Sequence, residues 1–284
     1  MFFFKTFPHF FYSSRLKGYQ RCSILVIDEK IVQGIEKENL TIGKLLDVVT
    51  SLYPNVEAAI FDHLRKTWTQ FKEDVDKFAL GLLNLGIKKG EKAGVWALNI
   101  YEWMVAWFAL PKIGMVLIPM DHWYQDNEAE FVLNHSESVA CICTSNYVKR
   151  LNGFRGNVPL VRHVILMDEP SPLPEAEGLT TMKTIMNLEL NSENKAKLEK
   201  AQEAVDKHDV TFILYTSGTT GVPKGAMLTH FNIIKNCVAT ANVLACSPQD
   251  KYLIPVPFSH CFGCVLGITL ATLTGSPIDR KSVV

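Results

Sequence analysis

Between residues 210 and 225 the chain changes character within a few positions. Val210-Thr211-Phe212-Ile213-Leu214 is apolar and β-branched and reads as a buried strand. It runs into Tyr215-Thr216-Ser217-Gly218-Thr219-Thr220-Gly221-Val222-Pro223-Lys224-Gly225, where glycine and hydroxyl side chains take over and a lysine follows. Glycine lets the backbone turn tightly and bring its N–H groups close to an anion. Threonine and serine add neutral donors, and Lys224 adds a point positive charge. That combination suits a phosphate cradle at the end of a strand. The plainer reading is a Gly/Thr-rich hairpin turn. Two well-known phosphate loops are excluded. Lys224 is followed by Gly225, where a Walker A loop has Ser or Thr, and no G-x-G-x-x-G occurs here.

The run continues through Met227-Leu228-Thr229-His230. As a whole it resembles the AMP-binding signature of the adenylate-forming enzymes, which include acyl-CoA synthetases, luciferases and peptide-synthetase adenylation domains. The likeness extends from about Thr67 to Gly275. A second stretch, Phe258-Ser259-His260-Cys261-Phe262-Gly263, resembles the family's proline-x-x-histidine-x-x-glycine element, beginning at Pro257.

The resemblance implies two half-reactions. A carboxylate attacks the α-phosphorus of ATP to give an acyl-adenylate and pyrophosphate, and the thiol of coenzyme A then displaces AMP. It implies phosphate contacts from Thr216, Ser217, Gly218, Thr219, Thr220, Gly221 and Lys224, with Mg2+ met at Thr216. It gives Lys224 and His260 catalytic roles, His260 standing beside the acyl substrate. Motif spacing, Glu73-Asp74-Val75-Asp76-Lys77 and Gly81-Leu82-Leu83-Asn84-Leu85-Gly86 are most similar to mitochondrial medium-chain acyl-CoA synthetases. The expected partners are therefore a fatty acid, ATP and coenzyme A. The alternatives are an aryl-CoA ligase or luciferase-like enzyme, and a non-catalytic nucleotide-binding isoform.

The balance of 29 basic and 29 acidic residues leaves no net charge, which argues against a nucleic-acid partner. Seven cysteines follow no disulfide framework and suit free thiols in a reducing compartment. Cys261-Phe262-Gly263-Cys264 is a single C-x-x-C with no second pair, so metal or redox use is not expected from the sequence. Residues 1–22 carry Lys5, Arg15, Lys17 and Arg21, many aromatics and no acid, as a mitochondrial presequence does. A secretory signal would need a cleaner apolar core, and an untranslated leader is the third reading.

The middle of the chain alternates. Helices are expected over residues 41–53, 72–85, 101–113, 128–135 and 191–205. Strands are expected over 93–97, 115–119, 139–143, 164–166 and 252–257, with a strand and turn over 56–64. A further helix is expected to start at Thr229, and another over 264–270 to line an apolar pocket. Residues 95–120 are apolar enough to suggest a membrane span, but Glu102 and Lys112 lie within them, and Asn99 and Pro111 interrupt them. A charge at a bilayer centre is costly, so this is read as buried core and no transmembrane segment is expected.

Alternation of this kind predicts an α/β fold with parallel sheets and flanking helices. With the resemblance it implies part of the large N-terminal domain of the adenylate-forming fold, over residues 38–275. The family's later glutamate, aspartate and lysine motifs and its small C-terminal lid domain are absent from this sequence. Asp279-Arg280-Lys281-Ser282-Val283-Val284 matches one frame of a common sequencing adapter, so 276–284 is expected to be a non-native tail. A chain of this kind is expected to be inactive alone and to expose apolar surface.

Overall fold

The computed structural model describes residues 39–62, 64–216 and 223–280. Helix α1 (Ile42–Leu52) is capped by Thr41, whose hydroxyl accepts from the Lys44 amide. Strands β1 (Glu57–Phe61) and β2 (Leu64–Thr67) form an antiparallel pair. Helix α2 (Trp68–Asn84) begins four residues before the expected Lys72. The reason is a reciprocal cap: the Gln70 amide donates to Thr67 Oγ1 at 3.3 Å, and the Thr67 amide donates to Gln70 Oε1 at 3.0 Å. Gly86, at φ +81°, ends the helix as its sequence position suggests.

The alternating unit follows as β3 (Lys92–Trp96), α3 (Tyr101–Lys112), β4 (Val116–Pro119), α4 (Asp126–His135), β5 (Ser138–Cys143), α5 (Val148–Phe154) and β6 (His163–Leu166). Then come β7 (Leu179–Thr181), α6 (Met182–Met186), α7 (Ser192–Glu203), β8 (Val210–Thr216), β9 (Lys224–Thr229), α8 (His230–Leu244) and β10 (Tyr252–Leu253). Helix α9 (Leu270–Thr274) and β11 (Ile278–Asp279) complete the described chain. The large sheet has the order β7-β6-β5-β3-β4-β8-β9. Every neighbouring pair is parallel except β8 and β9. Its inner strands read as continuous apolar runs because helices cover both faces. Helix α3 is buried at every position except Glu102, as an all-round apolar helix must be. Among the described residues no helix is long and apolar enough to cross a membrane.

A stack of rings joins α3 to the sheet. Trp107 lies 3.6 Å from Phe212 of β8 at 12°, and Trp103 lies 5.5 Å from Trp107 and 5.6 Å from Phe258.

Two further expectations change. The strand over 252–257 shortens to Tyr252–Leu253, since Pro255 and Pro257 have no N–H for a ladder. The helix expected over 264–270 begins earlier, at Cys261, and passes through a wide π turn over Cys264–Thr269 before α9. The smaller sheet runs β10-β11-β1-β2. Residues 276–280 enter it directly: Ile278 is fully buried, Ser276 Oγ donates to the Ser247 carbonyl at 2.8 Å, and the Arg280 amide donates to the Ile60 carbonyl at 2.8 Å.

Candidate active site

The parallel strands define the site by where they end. In open α/β sheets ligands gather outside the carboxyl ends of the strands. Strand β8 runs parallel to β4, so Thr216 ends it at that edge. Strand β9 then returns antiparallel, with Thr216 opposite Lys224. The glycine-hydroxyl run is thus the connection of a hairpin as well as the candidate phosphate cradle, and the two readings of the sequence describe one object. Ser217, Gly218, Thr219, Thr220 and Gly221 lie outside the described residues. The two residues that flank them, Thr216 and Lys224, are both exposed. Among the described residues no carboxylate pairs with Lys224.

The base of this hairpin is tied down. Tyr215 Oη lies 2.8 Å from His135 Nδ1, and its ring meets Phe131 edge-on at 6.4 Å. Burial raises the Tyr215 phenol above its usual range, so it acts here as a neutral anchor.

His260 reaches the same edge by another route. The Asn99 side chain, three residues past β3, donates to the Val256 carbonyl at 2.8 Å and accepts from the Phe258 amide at 2.7 Å. Phe258 is buried against Trp103. The segment before His260 is therefore clamped to the carboxyl end of β3. Gly263 makes the next turn possible, since a Cβ there would lie 2.2 Å from the Pro257 carbonyl oxygen. His260 caps that turn, its Nδ1 accepting from the Phe262 amide at 3.1 Å. Accepting at Nδ1 puts the proton of the neutral ring on Nε2, and the ring is exposed. His260 and Lys224 thus occupy one edge of the sheet without bonding to each other.

Sequence reasoning treated Asn99 only as an interruption in an apolar run. Its signal was a lone carboxamide just past a buried strand, where a polar side chain needs a partner.

The donor set fits a nucleotide better than a metal held by protein alone. Lys224 supplies a cation with no carboxylate partner among the described residues, and Thr216 a hard oxygen, as a polyphosphate with its Mg2+ requires. Among the described residues no three His, Cys, Asp or Glu side chains cluster as metal ligands.

Comparison with known proteins agrees with this architecture. Residues 46–278 match the AMP-binding enzyme family, and the chain belongs to it. It is 36% identical over 254 residues to YngI of Bacillus subtilis (strain 168), a protein named as an acyl-CoA synthetase. That match covers 83% of this chain and 46% of the relative. It is 32% identical over 281 residues to the mitochondrial medium-chain acyl-CoA ligase ACSF2 of Danio rerio, covering 90% of this chain and 45% of the relative. The anthranilate CoA ligase AuaEII, solved in complex with anthranoyl-AMP, superposes with a TM-score of 0.74 at 19% identity. That superposition covers 86% of this chain and 46% of AuaEII. The chain spans about half the length of the curated relatives it matches. The fold is accordingly α/β and corresponds to the N-terminal part of the adenylate-forming enzymes.

Proposed function

We propose that this chain is the ATP-handling N-terminal portion of an acyl-CoA synthetase that activates a medium-chain fatty acid, by way of its adenylate, to the coenzyme A thioester. The observation that carries the reading is the β8–β9 hairpin. It sets an exposed lysine, with no carboxylate partner among the described residues, opposite an exposed threonine at the carboxyl edge, on either side of a glycine-hydroxyl loop. Lys224 and the donors from Thr216 to Gly221 hold the polyphosphate while charge moves onto pyrophosphate. Thr216 would meet the Mg2+ carried with the nucleotide, which would supply part of the charge neutralisation there. His260, with Nδ1 committed to the backbone, offers Nε2–H to the carboxylate or to the adenylate carbonyl.

The names of two relatives support the acyl-CoA reading, and ACSF2 supports both the medium-chain and the mitochondrial assignment. Residues 1–22 act as the presequence in this proposal and lie outside the described residues. The 284-residue chain binds nucleotide in this proposal.

The test is thioester formation by the full gene product over a series of carboxylic acids, with pyrophosphate exchange measured on the 284-residue chain. A maximum at medium chain length supports the proposal. A maximum for aryl acids replaces it with an aryl-CoA ligase. ATP binding with no exchange by either protein replaces it with a non-catalytic nucleotide-binding isoform.

A further inference from the structure

Cys261-Phe262-Gly263-Cys264 carries no expected role in the sequence, yet the structure gives its two sulfurs unequal positions. Cys261 is exposed and Cys264 is fully buried. The His260 carbonyl accepts from the Gly263 amide at 2.8 Å and from the Cys264 amide at 3.1 Å. Cys261 and Cys264 are therefore the first and fourth residues of one helical turn. Residues three apart on a helix hold their Cβ atoms about 5–6 Å apart, against about 3.5–4.5 Å in a disulfide. Closing a bridge needs an inward swing of one residue. Cys264 cannot supply it, being packed in the core, and Gly263 is fixed against Pro257. Cys261 can, because it is exposed and its amide precedes the intrahelical ladder.

The environments of the sulfurs also differ. Burial, and next the charge on a Cys261 thiolate, holds the Cys264 thiol well above its ordinary range. Cys261 Sγ lies 3.9 Å from His260 Nδ1. That nitrogen's one lone pair already accepts from the Phe262 amide, so the thiol proton of the exposed Cys261 goes to solvent. The outer sulfur is thus open to solvent and to a peroxide, and the inner sulfur stays protonated until it attacks.

We propose that Cys261 and Cys264 are a hydroperoxide-sensitive dithiol that closes to an intramolecular disulfide, with Cys261 oxidised first and Cys264 resolving it. The Cys261 thiolate attacks the peroxide O–O bond. An S–O bond forms, the O–O bond breaks, and the departing oxygen leaves as water or an alcohol after taking a proton. Cys261 is then a sulfenic acid, oxidised by two electrons, and the peroxide is reduced by two. The Cys264 sulfur displaces hydroxide from Cys261, and its own proton leaves with that hydroxide as water. Closure withdraws the Cys261 sulfur from His260, so oxidation is registered at the carboxyl edge of the sheet. This inference does not depend on the proposed catalytic activity.

The experiment treats the folded 284-residue chain with hydrogen peroxide, blocks remaining thiols with N-ethylmaleimide, digests with trypsin and weighs the peptides. Residues 252–280 form one tryptic peptide with both cysteines. The expected result is that this peptide is lighter by two hydrogen atoms and takes up the blocking reagent only after reduction. The peptides with Cys141, Cys143, Cys237 and Cys246, all buried, remain reduced. Cys264→Ser stops at the sulfenic acid, captured by dimedone at Cys261, and Cys261→Ser abolishes oxidation at Cys264. The proposal is overturned if the native peptide stays fully alkylatable after peroxide, or if Cys261 goes on to sulfinic acid without bridging. The measurement on the native chain decides the matter even where a serine variant does not fold.

Discussion

Lys224 and Lys112 stand at opposite edges of the same sheet, and they are treated in opposite ways. Lys224 is exposed at the carboxyl edge, with no carboxylate paired to it among the described residues. Lys112 ends α3 at the amino edge with 2% of its side chain exposed. Its ammonium lies 2.8 Å from Asp47 Oδ1 and 2.6 Å from Asp76 Oδ1. Lys72 pairs with both acids as well, and Gln202 Nε2 donates to Asp47 Oδ2 at 2.6 Å. The group joins α1, α2, α3 and α7 around a cavity of about 370 Å³. Burial works to raise the Asp47 carboxyl, but Lys112 and Lys72 outweigh it and hold the group below its usual range. A charge whose partners are all protein residues serves the fold. An exposed charge at a strand end, with no carboxylate partner among the described residues, is open to a ligand. The difference between the edges separates scaffold from site without reference to any relative.

The largest effect is expected at Lys112. Lys112→Ala leaves Asp47 and Asp76 partly buried beside a single lysine. Removing one member of a buried ion pair typically costs about 3–5 kcal/mol. Denaturant unfolding should show a loss of that size. A loss below about 1 kcal/mol would mean the cluster is solvated like a surface pair.

His230 extends the amino-edge argument to pH. It starts α8 directly after β9, is fully buried, and its Nδ1 accepts from the Ile42 amide at 3.2 Å. Burial pushes its pKa down to about 4 from 6.5, against the pull of Asp209 and Asp206. Protonation would also remove the acceptor that the Ile42 amide uses. The folded-state pKa is depressed for a group that is charged when protonated. The stability it contributes is therefore complete above pH 6.5 and declines as pH falls from there to about 4. The full decline is roughly 3 kcal/mol. Thermal unfolding from pH 7 to pH 4 should show it, and His230→Asn should flatten that arm. An unchanged profile in the variant would assign acid sensitivity elsewhere.

At the other edge Lys224→Ala should leave unfolding unchanged within about 0.5 kcal/mol, as for an exposed residue with no carboxylate partner among the described residues. ATP binding should weaken by one charge-assisted contact, about 1.5–3 kcal/mol or roughly 10- to 150-fold. Denaturant unfolding checks the first expectation and calorimetric titration of the nucleotide the second. A stability loss without an affinity loss would reverse the roles of the two lysines.

Much of this was legible in the sequence because it is local. Strands β3 to β6 and helices α3 and α4 follow from apolar runs punctuated by glycine and proline, whereas helix α5 was not expected, and Thr229 is the cap its position suggested. Strand β9 was not separable from the loop. Its burial alternates irregularly along an edge strand, so it carries no period-2 signal, and the glycine-hydroxyl run drew the reading past it. The contacts that build the two edges are remote in sequence. Asn99 reaches residues 157 and 159 positions away, and Lys112 reaches Asp47 across 65. No periodicity encodes such partners. The C-x-x-C spacing was visible, but which sulfur faces solvent depends on how residues 257–264 turn against the core.

Helix α2 supplies the smallest effect and a control for the rest. Its start at Trp68 rests on the Thr67–Gln70 cap, and Trp68 Nε1 donates to the Gly275 carbonyl at 3.3 Å. The opening turn therefore holds the chain just before β11, while Lys72 and Asp76 of the charge cluster lie one and two turns further on. Thr67→Ala should cost about 1 kcal/mol, within the roughly 0.5–2 kcal/mol range of lost caps. It should lower the denaturation midpoint slightly and leave ATP affinity unchanged. If it approaches the cost of Lys112→Ala, fraying has spread from the cap into the cluster, and the two are one cooperative unit. If the loss stays near 1 kcal/mol, the cluster holds α2 by itself, and the amino edge is fastened by its ion pairs rather than by the helix start.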